Sequence, residues 1–96
     1  MNRFFEAQGR QWVSAAHRRA AIIDAPTLDA RVALELLELA RVAAHTQQRR
    51  FAPLSCFMAG VAAERLRAAK PDIDDIALAE YIQEVRQELE AEAPTG

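Results

Sequence analysis

Pro26, Pro53, Pro71 and Pro94 divide this 96-residue chain into segments whose apolar residues recur at steps of three and four. That is the period of a helix and not of a strand. Each proline lacks an N–H and disfavours the α conformation in the residue before it, so helices are expected to begin or end beside one. Alanine supplies 21 of the 96 residues, against three glycines and six aromatics, which favours helix again. The expectation is an all-α fold, a compact antiparallel four-helix bundle with helices at about 3–23, 28–50, 53–69 and 73–91. Ninety-six residues suffice for one domain, expected over 1–91, with 92–96 as a frayed tail.

Each helix has a readable face. In the first, Phe5, Trp12, Val13, Ala16, Ala20 and Ile23 form the apolar stripe, so Trp12 is expected in the core, while Arg3, Arg10, His17 and Arg18 fall elsewhere. Gly9 should weaken this helix by about 1 kcal/mol relative to alanine. Thr27 is the expected N-cap of the second helix. Leu28, Val32, Leu36, Leu39, Ala40 and Ala43, flanked by Leu34, Leu37 and Ala44, give that helix an apolar arc wide enough for a central position. Pro53 suits the first turn of the third helix, whose expected buried stripe is Leu54, Phe57, Met58, Val61, Ala62 and Leu66. Ala59, Gly60 and Ala63 make a small-residue patch beside it, and the short connection to the second helix predicts an antiparallel hairpin. Asp72 is the expected cap of the fourth helix, along which Leu78, Ile82, Val85 and Leu89 form a coiled-coil-like seam two heptads long, with Ala77 and Tyr81 beside it.

Charge narrows the function classes. The net charge is −2, but residues 1–50 carry eight arginines against five acids, whereas 72–92 carry eight acids and one arginine. A basic first helix and an acidic fourth are complementary, within one chain or between two. The overall balance argues against nucleic acid as a partner, since phosphate binding needs a concentrated basic surface. Cys56 is the only cysteine, which fits a reducing cytoplasm and excludes a disulfide framework within the chain. The first ten residues lack the apolar run of a signal peptide, and the longest uncharged run, Phe51 to Ala63, is too short to span a membrane. A cytoplasmic protein with no membrane partner is expected.

No catalytic set stands out, and neither a metal nor a cofactor is expected. The Glu-x-x-His pairs of a di-iron bundle are missing, and the glycines are too scattered for a phosphate loop. Cys56 reads as a small apolar packing residue rather than a nucleophile. The constellation with the most chemistry is Arg41, His45 and Arg49 at successive four-residue steps, followed by Ser55 near the start of the third helix. Three basic side chains on one face, beside a helix N-terminus and a hydroxyl, would hold a carboxylate or phosphate. Alternatively, His45 and Arg49 cap the C-terminal carbonyls of the second helix and pin the hairpin, with Arg41 bridging to Glu38 or to solvent.

The stretch LLELARVAAHTQQRRFAPLSCFMAGVAA, Leu36 to Ala63, resembles the signature of a small bacterial helical domain of unknown function. In that family L-x-x-A-R-x-x-A-H leads into R-P-x-A-P-L-S/T-S/T-F/Y-x-x-G. Ala40, Arg41, Ala44, His45, Arg49, Ala52, Pro53, Leu54, Ser55, Phe57 and Gly60 fall on the pattern; Arg50, Phe51 and Cys56 depart from it. The family's domain occurs alone and as a C-terminal appendage to the molybdenum-cofactor guanylyltransferase. The resemblance therefore implies a non-enzymatic interaction or accessory module connected with molybdenum-cofactor maturation or with molybdoenzymes. Its partner would be a protein of that pathway or another copy of the chain. Two alternatives stay open: a binder of a small anion, nucleotide or pterin phosphate at Arg41, His45, Arg49 and Ser55, and a bundle completed by self-association.

Overall fold

A computed structural model of the chain describes residues 2–92. It is all-α, with α1 at Arg3–His17, α2 at Ala30–Thr46, α3 at Phe51–Ala69 and α4 at Asp75–Ala91, and no strand among the described residues. The chain forms two compact units, Met1–Ala30 and Arg31–Gly96.

In the first unit, Asn2 caps α1 by accepting a 2.7 Å hydrogen bond from the Phe4 N–H at its side-chain oxygen. The helix stops at His17, short of the expected Ile23. Its end is a Schellman turn in which the Ala21 N–H donates to the Ala16 carbonyl and the Ala20 N–H to that of His17. Ala20 sits there at φ 60°, a left-handed position that glycine occupies more readily. This turn, not Pro26, ends the helix, so Ala20 and Ile23 do not extend its stripe. The chain then doubles back, and a Cβ on Gly9 would lie 2.9 Å from the Pro26 carbonyl oxygen. Gly9 thus exists to let backbone pass. Trp12 is not in a core: its side chain is 57% exposed. Within this unit one extended pass of chain over Gly9 is too narrow to cover an indole.

The second unit is a helix hairpin with a third helix alongside. α2 starts at Ala30, three residues after the expected cap Thr27, and ends at Thr46, short of residue 50. At its end the Thr46 hydroxyl donates to the Val42 carbonyl at 2.8 Å and the Gln47 N–H to that of Ala43. The Phe51 and Ala52 N–H groups then donate to the carbonyls of Gln48 and Arg49, so α3 begins two residues before Pro53. Pro53 still lies in the first turn, where its missing N–H costs nothing. Between α3 and α4, Pro71 and Asp72 form a turn closed by the Ile73 N–H on the Lys70 carbonyl. Asp72 is used up in that turn, and the cap is Asp74, which accepts from the Ala77 N–H at 2.8 Å. Glu92, expected in a frayed tail, is the C-cap of α4 and donates its N–H to Glu88; residues 93–96 of that tail lie outside the described residues.

Side-chain pairs give the helix directions. Arg86 meets Glu35 and Arg41 meets Glu90, so α2 and α4 run the same way, while Arg67 meets Asp75 across the turn, so α3 runs against α4. The core of this unit is Leu39, Val42 and Ala43 from α2, Ala63 from α3, and Leu78, Ala79 and Ile82 from α4. α2 supplies three of these core residues, although Leu34 and Leu37 at the edges of its expected apolar arc are exposed. The stripe expected on α3 is not a core stripe: Leu54, Phe57 and Met58 are 61%, 73% and 72% exposed, and Val61, Ala62 and Leu66 are half-buried. Only Ala63, placed by its spacing in the small-residue patch, is buried. The rest of that patch does not pack: Ala59 is half-buried, and nothing lies within 4 Å of a Cβ built on Gly60.

Candidate functional site

The α4 seam closes over only half its length. Leu78 and Ile82 are buried, but Val85 is exposed and Leu89 half-buried. Opposite them stand Ser55, Met58 and Ala62 of α3, one above another at helical steps, with Leu39 of α2 beneath. The result is an open apolar groove of about 340 Å³ between the first half of α3 and the second half of α4, with Glu88 and Glu92 on its rim. Met58, Ala62 and Tyr81 also line a second depression, and Phe57, Val61 and Arg65 continue it round α3 to Cys56 and Gly60. One continuous apolar surface therefore covers the outer side of α3.

The residues expected to hold an anion lie on different elements: Arg41 and His45 on α2, Arg49 in the connection to α3, and Ser55 on α3. Arg41 lies on α2 and is engaged, 2.8 Å from Glu38 and 3.5 Å from Glu90. The hydrogen bond and charge of Glu38, with Glu90 adding to them, raise the already high pKa of its guanidinium. His45 is exposed at the last turn of α2. Arg49 is not on that helix, which has ended at Thr46, so the expected i, i+4, i+8 face stops at His45. Neither His45 nor Arg49 has a side-chain hydrogen bond or ion pair among the described residues, and the C-terminal carbonyls they were expected to cap are met by Thr46 and Gln47. Ser55 faces the apolar groove. The start of α3 offers few donors: the N–H groups of Phe51 and Ala52 are bonded within the turn and Pro53 has none.

Two features were not legible as site elements. Arg86, the lone cation in an acidic stretch, reaches Glu35 at 3.3 Å and Glu90 at 3.5 Å, and the Arg86 and Glu35 side chains are 15% and 16% exposed. The signal was its place one turn after Ile82, on the apolar side of α4, where a cation needs a partner from another helix. Together with Arg41, Glu38 and Glu90 it forms a ladder of alternating charge that ties α4 to α2. The groove itself was hidden because its residues were expected to be core. Cys56 behaves as expected: its thiol donates to the Leu36 carbonyl at 3.5 Å, and burial pushes its pKa up, away from thiolate reactivity. Among the described residues, no cluster of three or more His, Cys, Asp or Glu side chains is arranged to hold a metal ion, and no helix is long and apolar enough to cross a membrane.

Comparison with protein families places residues 6–95 in a family described as a domain of unknown function, DUF6457, and the chain belongs to that family. No curated protein and no solved structure matches it.

Proposed function

We propose that this member of the DUF6457 family is a non-enzymatic interaction module whose α3/α4 groove receives an apolar helix of a partner protein. The observation that carries the reading is the exposure of Leu54, Phe57 and Met58 beside an open seam at Val85. These large side chains lie at helical spacing, as the wall of a groove that takes an amphipathic helix does. The likeness of Leu36 to Ala63 to the domain appended to molybdenum-cofactor guanylyltransferase supplies the context: the partner is a protein of molybdenum-cofactor maturation or a molybdoenzyme, met in the cytoplasm. A photo-crosslinking residue at position 58 tests this in the native cell. Recovery of such a partner, lost when Val85→Glu is added, is the expected result; crosslinks to no protein of that pathway would remove the cofactor context, and crosslinks to no protein at all would remove the groove.

A second reading is a small-anion site at His45 and Arg49, with Arg41 and Ser55 nearby in sequence. It is favoured by the unpartnered, exposed side chains of His45 and Arg49 at the turn between α2 and α3. Calorimetric titration with a nucleoside phosphate checks it: binding that Arg49→Ala leaves intact would exclude this site.

A further inference from the structure

One wall of the groove and the charge ladder share a single stretch of α4. Val85, Glu88, Leu89 and Glu92 line the groove, and Arg86 and Glu90, interleaved with them in sequence, reach Glu35 and Arg41 on α2. Leu39, beneath the groove, also belongs to α2 and lies one turn after Glu35. The position of the α4 wall over that floor therefore depends on how α4 is held to α2. Apolar packing is thin there: beyond the buried Ile82, Val85 is exposed and Leu89 only half-buried, so the ion pairs are the main hold. Arg86 ties both helices with one head group, giving one nitrogen to Glu35 and the other to Glu90, whose second oxygen faces Arg41. The Arg86–Glu35 pair is the firmest of these, since both side chains are largely buried and little screened, whereas Arg41 and Glu90 are about half exposed.

We propose that Arg86 is a positioning residue for the groove: through Glu35 and Glu90 it fixes where the second half of α4 stands over α2, and so sets the opening that a partner helix enters. The inference rests on the docking reading above and names the residue that tunes it. Arg86 acts without touching the partner. A helix that fits the set opening binds the latched arrangement better than the unlatched one, so breaking the ladder lowers its affinity, and docking in turn favours the closed ladder.

Distances between spin labels in the full-length chain test the geometry. Gly60→Cys, where a Cβ meets open space, and Gln87→Cys, at an exposed site, report the separation of α3 and α4 at the open end. Arg65→Cys and Glu80→Cys, both exposed, report it nearer the turn, and Cys56→Ala removes the native thiol from every chain. Arg86→Met keeps the apolar stem of the side chain without its charge. It should lengthen and broaden the distance between 60 and 87, leave that between 65 and 80 as in the parent, and lower capture of the partner by the photo-crosslinking residue at position 58 at least about fivefold. Arg86→Lys, which keeps a cation within reach of Glu35, should fall between Arg86→Met and the parent in both measurements. Leu78→Ala separates positioning from stability: it weakens the fold but should retain the distance between 60 and 87 and the capture. The proposal is overturned if Arg86→Met has the parent's distance between 60 and 87, if both distances lengthen together, or if the distance changes and capture does not. It is overturned too if Leu78→Ala, still folded, loses capture as Arg86→Met does. If position 58 captures its partner whatever stands at position 86, only this inference falls; if position 58 captures nothing even in the parent, the groove reading falls and the linkage with it.

Discussion

The two ends of the α3–α4 hairpin are built from the same residue types at the same spacing, yet one is closed and the other open. Near the turn, Leu78, Ala79 and Ile82 are buried with Ala63. Farther along, Val85, Leu89 and Met58 have the same helical register and remain open to solvent or half so. The difference lies in the tethers. The Lys70–Asp74 connection holds the first pair of helix ends together, while at the other end α3 is tied by its short turn to α2, and α4 is clamped to α2 by Arg86–Glu35 and Arg41–Glu90. No tie joins α3 to α4 there among the described residues. An apolar seam therefore shows which face a helix turns inward, and the tethers decide how much of it closes.

If that account is right, substitutions at the two ends will differ by more than their chemistry. Leu78→Ala, at the closed end, should lower unfolding stability by about 2–5 kcal/mol in urea titration, because it leaves a cavity among residues that cannot collapse. Arg86→Ala removes the clamp from α4 and strands a half-buried Glu35. A loss of about 1–2 kcal/mol is expected, with faster amide exchange over residues 84–91 than in the parent. Asp74→Ala removes the cap at the turn and should cost about 1 kcal/mol, read from the thermal midpoint. Val85→Thr at the open end should change stability by no more than about 0.5 kcal/mol, since the site is on the surface of the single chain. A loss there as large as at Leu78 would mean that the seam is closed along its whole length.

Much of the helical fold was legible. The four prolines and the three-four spacing located all four helices, because periodicity survives whatever the helices pack against. Their ends were less legible. Three acids, Asp72, Asp74 and Asp75, lie beside Pro71, and only the closed turn at Ile73 shows that Asp74 is the cap. The end of α1 depends on an alanine in a left-handed turn, a residue that carries no signal for it. Arg49 does not continue the α2 face for a related reason: extrapolating α2 to Arg49 assumed three further residues of helix, whereas the Thr46 hydroxyl and the Gln48–Phe51 turn end it sooner. The groove was missed because hydrophobicity at helical spacing does not distinguish a core stripe from a docking stripe. Both exclude water, one when the chain folds and the other when a partner arrives.

The central claim is that the apolar surface at the open end serves association and contributes nothing essential to the fold. Met58→Glu tests it most directly when its urea midpoint is measured beside the capture of a partner protein by a photo-crosslinking residue at position 54. The account predicts a midpoint within about 0.5 kcal/mol of the parent and a loss of capture. A large fall in stability, or capture equal to the parent's, would contradict it.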